Sequence, residues 1–344
     1  MNSRLTAFQK HLAGDAALIE DPTNLLYLTG MTLSRGILAV TKKDAILLVD
    51  GRYIGMAEKN APCPVGLLRE SGPDALLLWL EGKNIRKLAF DSATTCYNRF
   101  ESLKKAMPQI ELVPQKALLQ GLRSIKDAKE IAALKKAQAL TYQGFQHVES
   151  LLKEGISEET LAFEFEVFVR KNGASGLSFP SIIAFGENSA YPHYRAGKTK
   201  LAQDQVVLID VGAIVDEYHG DLTRVVFFGK ADPTIQKWLG WTQLAQKKAL
   251  EAVRAGVLVK ELDQIARKVF AEHGVEEKFT HGLGHGVGLE THEFPSLKAM
   301  GVDRDVKLLP GMVITIEPGL YQPGIGGVRW EDMIVVLENG YERF

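Results

Sequence analysis

The sequence lacks three features that mark particular classes of protein. No apolar run approaches the roughly 20 residues that a membrane-spanning helix requires. Its 41 basic and 42 acidic residues give a formal charge of −1, so it has no basic surplus for nucleic acid or an anionic membrane surface. The two cysteines, Cys63 and Cys96, form no CxxC pair. These absences predict a cytoplasmic protein with neither a nucleic-acid nor a membrane partner.

What remains is a chain of 344 residues, enough for about two domains. In the first 120 residues, NLLYLTG, GILAVTKKDAILLVDGRY and RKLAFDS have the pattern of strands, whereas ALLLWLEG and FESLKKAM have that of helices. The consecutive apolar residues of AILLVD predict a strand in the middle of a covered sheet. Residues 1–122 are therefore predicted to form an N-terminal α/β domain.

A long amphipathic helix is predicted next, in SIKDAKEIAALKKAQALTYQGFQHVESLLKEG. Asp127 and Glu130 have the spacing of a capping box, and apolar residues recur along one face. We place the domain boundary just before this helix, so that residues 123–344 form the second domain.

The second domain contains an internal repeat. The segment from Gly155 to Gly173 matches the segment from Gly256 to Gly274 at a shift of 101 residues. Each copy follows another helical segment and precedes apolar strands. The pattern predicts two related helix–helix–hairpin halves, whose strands join into one curved, mainly antiparallel sheet with helices outside.

Each predicted hairpin carries a carboxylate in both of its strands. Asp210 and Asp221 lie in VVLIDVGAIV and DLTRVVFFG, and Glu317 and Glu331 lie in MVITIEPGLY and VRWEDMIVVL. A tight turn at residues 215–216 would place Asp210 directly opposite Asp221, with Cβ atoms about 5 Å apart. The second hairpin would allow Glu317 and Glu331 to face each other similarly, through a longer loop. Acids this close among apolar residues raise one another's pKa. Two divalent cations would neutralise the four charges, as in phosphatases and aminopeptidases whose metals lie about 3.5–4 Å apart.

The stretch THGLGHGVGLETHE holds three of the eight histidines, His281, His285 and His292. It lacks the Lys-Ser/Thr of a phosphate-binding loop and does not match GxGxxG. His281 and His285 have the spacing of a helical zinc site, but the glycines between them argue against a helix. Glycines do allow a close backbone approach that delivers a nitrogen ligand from a neighbouring strand. The three histidines are therefore candidates for metal binding and acid–base chemistry.

Four motifs occur in order across residues 206–337: VVLIDVGAIVDEYHGDLTRVV, HGLGHGVGLETHE, ITIEPGLY and GVRWEDM. Together they resemble the pita-bread metallopeptidases, the family of aminopeptidase P, prolidase, methionine aminopeptidase and creatinase. NLLYLTG and LLVDGRY resemble the N-terminal domain of the creatinase and prolidase branch. The resemblance implies an α+β protein with a catalytic pita-bread domain and a smaller, creatinase-like α/β domain before it.

The resemblance also implies five metal ligands: Asp210, Asp221, His285, Glu317 and Glu331. Asp221 and Glu331 would bridge two divalent ions. Asp210 would complete the shell of one ion, and His285 with Glu317 would complete the other. This oxygen-rich set favours Mn²⁺, with Co²⁺ and Zn²⁺ as alternatives.

The same resemblance implies roles for the residues around the metals. Glu317 would accept the proton of the attacking water, and His292 would contact the substrate and stabilise the tetrahedral intermediate. His281 would line the proline side of the pocket, and His193 would assist proton transfer and bind the leaving group. Two further residues would orient the ligands: Arg329 and Tyr321.

The implied activity is hydrolysis of the bond between an N-terminal residue and proline. Prolidase, which cleaves dipeptides, is slightly favoured over aminopeptidase P, which acts on longer peptides. Arg195 or Arg329 could hold the free carboxylate of a dipeptide. A non-catalytic binding module is the alternative of a different class, but it would need no cluster of four acids. Two-domain family members also imply a homodimer.

Overall fold

The computed structural model describes residues 3–69 and 74–344. By its internal contacts the chain divides into two compact units, one ending at Arg123 and the other spanning Ser124–Phe344. No helix in the described part is long and apolar enough to cross a bilayer. Each unit contains its own buried apolar core.

The N-terminal unit is built on a mixed sheet of six strands. The strands are β1 (Ala16–Ile19), β2 (Gly36–Thr41), β3 (Ala45–Val49), β4 (Val65–Leu67), β5 (Lys87–Asp91) and β6 (Glu111–Gln115). The first six helices are α1 (Ser3–Lys10), α2 (Pro22–Thr29), α3 (Ile54–Asn60), α4 (Ala75–Leu80), α5 (Tyr97–Ala106) and α6 (Gln120–Ser124). The strand order is β4-β3-β2-β1-β5-β6. β3, from AILLVD, is an interior strand as predicted, although β2 and β1 occupy the centre.

One prediction for this unit is wrong. NLLYLTG was predicted to be a strand, but it lies in helix α2. The signals at its two ends outweigh its apolar composition. Asp21 accepts a hydrogen bond from the backbone N–H of Asn24 and Pro22 opens the first turn, while Gly30, with φ of 73°, ends the helix. The other strand and helix predictions for this unit are confirmed.

The C-terminal unit contains four long helices and thirteen short strands among the described residues. The helices are α7 (Ala128–Ser150), α8 (Glu158–Lys171), α9 (Pro233–Ala252) and α10 (Val259–Glu272). The strands of the first half are β7 (Gly176–Leu177), β8 (Ile182–Phe185), β9 (Gln205–Val211), β10 (Ala213–Val215), β11 (Tyr218–His219) and β12 (Leu222–Phe228). Those of the second half are β13 (Gly284–Gly286), β14 (Glu293–Leu297), β15 (Val313–Ile316), β16 (Gly319–Gln322), β17 (Gly326–Arg329), β18 (Asp332–Leu337) and β19 (Gly340–Arg343).

The helices confirm the long-helix prediction and the internal repeat. α7 begins with the predicted capping box: Asp127 caps the backbone of the first turn, and Glu130 returns a bond to the N–H of Asp127. The first and last residues of α10 each lie 101 positions after those of α8. The two halves therefore share the same helix–helix–hairpin order.

The apolar run in β9 is explained by burial on both of its faces. Val206 and Leu208 pack in a cluster with residues of α9 and α10, whereas Val207 and Ile209 pack in a cluster with residues of α7 and α8. Because side chains alternate along a strand, Asp210 shares the face of Val206 and Leu208. The side chain of Asp210 therefore lies on the face of β9 that packs against the second half of the domain.

The register predicted for the first hairpin, β9–β10 with β11–β12, is wrong by two residues. Asp210 pairs with Thr223 rather than with Asp221, and Val215 pairs with Tyr218. The turn residues are Asp216 and Glu217, with φ of 51° and 70°. Two-residue hairpin turns favour positive φ, which a β-branched valine resists and an aspartate tolerates. Asp210 and Asp221 still lie on one face, but diagonally.

The second hairpin, β15–β16 with β17–β18, has the predicted arrangement of its acids. Ile316 pairs with Asp332, so the next position along sets Glu317 opposite Glu331. The predicted sheet is divided into four hydrogen-bonded groups: β11-β10-β7, β12-β9-β8, β14-β13-β15-β18-β19 and β16-β17. The first hairpin is interrupted at Asp221 and the second at Glu317 and Glu331, and a bond from the Glu331 N–H to the Thr223 carbonyl links the two hairpins.

Candidate metal centre

The five predicted ligand residues line one cavity of about 430 Å³: Asp210, Asp221, His285, Glu317 and Glu331. The Nε2 atom of His285 lies 3.7 Å from Asp221 Oδ2 and 3.4 Å from Glu317 Oε1. One ligand atom each from Asp221, His285 and Glu331 lie within 4.8 Å of one another. Since metal–ligand distances are about 2.0–2.2 Å, two atoms on opposite sides of an ion lie about 4 Å apart. Asp221, His285 and Glu331 therefore have the spacing that a bound cation needs; the five residues together are called here the ligand cluster, after their predicted role.

Asp221 is fixed through its backbone by Gln138 on α7. The side-chain amide nitrogen of Gln138, Nε2, donates to the Asp221 carbonyl, and the Asp221 N–H donates to Gln138 Oε1, each at 2.9 Å. Both groups are buried. The pair satisfies the backbone of Asp221 where the ladder is interrupted, and it leaves the carboxylate free to face the cavity.

Glu331 is held from the first hairpin. The Thr223 hydroxyl donates to Glu331 Oε2 at 2.7 Å, and the Glu331 N–H donates to the Thr223 carbonyl at 3.3 Å. Thr223 lies directly opposite Asp210 on β9. A single threonine therefore connects an acid of each hairpin.

Arg329 spans the cluster with all three of its guanidinium nitrogens. Nε donates to Thr223 Oγ1 at 3.0 Å, Nη1 donates to the Tyr321 hydroxyl at 2.8 Å, and Nη2 pairs with Asp210 Oδ2. Its side chain is only 4% exposed. The predicted orienting role of Arg329 and Tyr321 agrees in geometry with this network, although Tyr321 does not line the cavity.

The charges of the cluster are out of balance without a cation. Burial and then the neighbouring Glu331 raise the pKa of Asp221 and of Glu317 well above their usual values. Burial and then Asp210 raise the pKa of Glu331 to about 7. Asp210 Oδ1 is buried and makes no hydrogen bond. Such an oxygen costs free energy unless a ligand binds it, so these residues fit a divalent metal.

His285 presents a neutral nitrogen to the acids. Its Nδ1 lies 3.0 Å from the carbonyl oxygen of Gly286, which can only accept, so Nδ1 carries the proton and Nε2 is left as the metal-facing lone pair. Burial and then His292 lower the pKa of His285 to about 3. The ring is therefore uncharged at neutral pH, as a metal ligand requires.

The glycines beside His285 permit the close approach inferred from the sequence. β13 lies between β14 and β15. A β-carbon on Gly284 would lie 2.1 Å from the Thr315 carbonyl oxygen, and one on Gly286 would lie 2.3 Å from the Phe294 carbonyl oxygen. Larger residues cannot occupy these positions without moving the backbone, so glycine is required for the strand that carries His285.

His281 belongs to a hydrogen-bonded chain that starts at Arg329. Its Nδ1 lies 2.8 Å from the Gly282 carbonyl and its Nε2 lies 2.9 Å from the Tyr321 hydroxyl. Because the Gly282 carbonyl can only accept, Nδ1 carries the proton, so Nε2 accepts a hydrogen bond from the Tyr321 hydroxyl, which in turn accepts one from Arg329. Burial and then Arg329 lower the pKa of His281 to about 3, so this imidazole ring is neutral.

His292 and His193 also line the cavity. The centroid of the His292 ring lies 4.2 Å from that of His285. Partial burial and then the neighbouring His193 lower the pKa of His292. The structure thus brings all four histidines of the sequence-based prediction to one cavity, together with the ligand cluster.

Two basic side chains on the cavity wall have no acidic partner. Arg195, which the sequence suggested, and Lys298, which it did not, both line the cavity, and no ion pair joins either to a carboxylate of the described residues. The stem of Lys298 lies over Gly282, where an added β-carbon would be 2.4 Å from Lys298 Cγ. The sequence analysis identified none of three residues at this site: Lys298, Gln138 and Thr223. The correct register of the first hairpin would have placed Thr223 opposite Asp210.

Comparison with known proteins identifies the family to which this chain belongs. The sequence matches the model of metallopeptidase family M24 over residues 132–338 and that of the creatinase/prolidase N-terminal domain over residues 3–125. The chain therefore belongs to metallopeptidase family M24. This confirms the resemblance drawn from the four motifs, and membership implies the use of a divalent metal.

Individual relatives are similar over almost their whole length. The chain is 36% identical over 330 residues to an Xaa-Pro dipeptidase of Pyrococcus horikoshii, covering 96% of this chain and 92% of the relative. An Xaa-Pro dipeptidase from Bacillus anthracis superposes with a TM-score of 0.93 at 34% identity, covering 99% of this chain and 95% of that one. An X-Pro aminopeptidase from Thermotoga maritima gives 0.90 at 30% identity, covering 98% and 97%. The fold alone does not separate these two activities.

Proposed function

We propose that this metallopeptidase hydrolyses the peptide bond between an N-terminal residue and proline, using two divalent metal ions. The observation that carries the proposal is the ligand cluster: four acids, three of them buried, line one cavity, and one oxygen of Asp210 has no hydrogen-bond partner among the described residues. The dipeptidases and the aminopeptidase to which the chain is similar are named for Xaa-Pro substrates, which supports the specificity for proline.

In this proposal, Asp221 and Glu331 would hold both ions. Asp210 would hold one of them, and His285 with Glu317 would hold the other. The four carboxylates favour Mn²⁺, with Co²⁺ and Zn²⁺ as alternatives. When bound, the ions supply a nucleophilic water at neutral pH and polarise the scissile carbonyl.

The surrounding residues act on the protons and on the developing charge. Glu317 accepts a proton from the attacking water. His292, whose ring packs against that of His285, donates a hydrogen bond to the carbonyl oxygen as it becomes negative. His281 is held neutral by burial and by Tyr321 and forms the proline side of the pocket. His193, on another part of the wall, assists proton transfer to the leaving nitrogen.

The metal requirement is tested by metal analysis combined with an Xaa-Pro assay. Chelation is expected to abolish hydrolysis, and Mn²⁺ is expected to restore it. The Asp221→Asn variant should remain inactive with Mn²⁺ added, because it lacks a bridging ligand. Undiminished hydrolysis by that variant would refute the bridging role.

Dipeptidase activity is favoured by the basic side chains of the cavity. A dipeptidase must bind the free carboxylate of its substrate. Arg329 is unsuited to this task because its three nitrogens already donate to Thr223, Tyr321 and Asp210. Arg195 and Lys298 line the cavity without acidic partners, so we assign them to the terminal carboxylate.

The assignment predicts different effects on two substrates. Lys298→Met should raise the KM for an Xaa-Pro dipeptide by about tenfold or more, since a hydrogen bond to a charged group contributes about 1.5–3 kcal/mol. The KM for Xaa-Pro-Pro peptides should change little. Lys237→Met, at an exposed lysine of α9, is the control. Cleavage of the longer peptide alone by the unmodified enzyme would favour aminopeptidase P and refute the dipeptidase assignment.

The remaining proposals concern organisation. We propose that residues 1–122 form the N-terminal domain and residues 123–344 the catalytic domain, and that the protein is a cytoplasmic homodimer. The matches to two family models over residues 3–125 and 132–338 support this division. The dimer rests on analogy with two-domain relatives, and sedimentation as a monomer at micromolar concentration would contradict it.

A further inference from the structure

Glu158 is a buried acid that none of the roles above uses. It is the first residue of α8, directly after the capping residue Ser157, and it is fully buried. A buried carboxylate is costly unless hydrogen bonds satisfy its charge. Glu158 accepts four of them, so its location is strongly determined.

The four donors come from the two ends of one loop, residues 186–196, called here the histidine loop. Oε1 accepts from the Phe185 N–H at 2.9 Å and from Asn188 Nδ2 at 2.8 Å, where the loop begins. Oε2 accepts from the Tyr194 hydroxyl at 2.9 Å and from the Gly197 N–H at 3.2 Å, where it ends. One carboxylate therefore cross-links both limbs of the loop.

The backbone of α8 supports only part of this arrangement by itself. The Glu158 N–H donates to the Thr199 carbonyl at 3.1 Å, and the Glu159 N–H donates to the Gly197 carbonyl at 2.9 Å. Both acceptors follow the histidine loop, so these bonds do not depend on the acid side chain. The side chain adds the bonds to Phe185 and Asn188 on the opposite limb.

The histidine loop carries four residues of the cavity wall: Pro192, His193, Tyr194 and Arg195. Tyr194 binds Glu158 directly and is the neighbour of His193. We propose that Glu158 is a positioning residue that fixes the histidine loop so that His193 reaches the leaving group. This inference rests on the proposed role of His193 in the proposed function.

The test replaces the acid without changing its volume. In Glu158→Gln, an amide NH₂ takes the place of one oxygen and cannot accept from the two donors of one limb. The kcat/KM for an Xaa-Pro dipeptide should fall on the order of 10²-fold, as expected for a small displacement of a catalytic group. Amide hydrogen exchange over residues 185–197 should accelerate. Glu159→Gln, an exposed acid in the same turn, should leave both measurements unchanged.

A double-mutant cycle separates positioning from general support of the domain. In a His193→Ala background, Glu158→Gln should cause little further loss, because residues that act together are not additive. An additive loss, or an equal loss of Mn²⁺ affinity measured by calorimetry, would overturn the inference. If Glu158→Gln does not fold, Tyr194→Phe removes one of the four bonds and should give the same exchange pattern at smaller amplitude.

The two failures can be told apart. Wild-type activity of the single His193→Ala variant would refute the role of His193 in the proposed function. Unchanged exchange over residues 185–197 in Glu158→Gln would refute the inference, whatever the activity of the enzyme.

Discussion

The two hairpins of the metal centre hold their acids differently. In the first, Asp210 pairs with Thr223 and Asp221 lies off the ladder, beyond a two-residue turn at Asp216 and Glu217. In the second, the register places two glutamates opposite each other, and the hairpin continues past them through β16 and β17. The first pair is therefore staggered and the second is aligned.

The difference shows how an interrupted ladder can present carboxylates. At the interruptions the backbone of each acid finds a partner from another element. Gln138 of α7 binds Asp221, whereas the N–H of Glu317 donates to the Leu283 carbonyl and that of Glu331 donates to the Thr223 carbonyl. The first hairpin depends on a helix for this support, and the second depends on neighbouring strands.

The largest effect is expected when an acid is removed from either hairpin. Asp221→Asn and Glu331→Gln should each lower Mn²⁺ affinity by more than the roughly 10–100-fold that outer partners contribute, because each removes a proposed bridging ligand. Calorimetric titration measures the affinity. Asp216→Asn, in the exposed turn of the first hairpin, is the control. Retained affinity in one of the two ligand variants would show that only one hairpin binds metal.

A pH effect is expected next in the metal-free protein. The pKa of Glu331 is raised to about 7 by burial and by Asp210. A carboxyl whose pKa is higher in the folded than in the unfolded chain stabilises folding below the unfolded pKa, and that contribution is lost as pH rises through the folded value. The free energy of unfolding should therefore fall by about 3 kcal/mol between pH 4.5 and 7 from this group.

Denaturant unfolding at the two pH values measures this loss. Glu331→Gln should show a smaller loss than the unmodified chain, and saturation with Mn²⁺ should suppress the loss in the unmodified chain. An identical pH dependence in the variant would contradict the assigned cause.

The smallest of the three effects is expected for the residues that hold the acids in place, Gln138 and Thr223. Gln138→Met removes the partner of Asp221, and Thr223→Val removes the hydroxyl that binds Glu331. Each should reduce Mn²⁺ affinity by about 10–100-fold. Gln143→Met, at an exposed position of α7, is the control for the helix. If Gln138→Met left the Mn²⁺ affinity unchanged while Thr223→Val lowered it, the position of Asp221 would not depend on its contact with α7.

Features with strong local signals were predictable from the sequence. The capping box of α7 and the repeat that relates α8 to α10 follow from residue types at fixed spacing. The four motifs contain the ligand cluster together with His281 and His292, and the structure brings these residues to one cavity. The facing acids of the second hairpin were also predicted.

Two errors came from local rules that were given the wrong weight. In the first hairpin the turn was predicted at Val215 and Asp216, although a β-branched valine resists the positive φ that the structure has at Asp216 and Glu217. In NLLYLTG the apolar composition was preferred over the Asp21-Pro22 start and the Gly30 stop.

Other residues of the site could not be found from the sequence. Gln138, Lys298 and Glu158 gain their roles from groups that are distant in the chain, such as the backbone of Asp221 or the two limbs of the histidine loop. A buried glutamine or glutamate on a helix has no periodic signature of its own. Their roles become visible only when tertiary contacts are known.

The position of Arg329 has a consequence for how the enzyme acquires its metal. This side chain bonds to Asp210 and Thr223 of the first hairpin and to Tyr321 of the second, and a guanidinium keeps its charge at every physiological pH. The apoprotein therefore retains a permanent counter-ion that joins the two hairpins. We expect it to exchange one divalent ion for another in the folded state, with activity regained on dialysis and no refolding step.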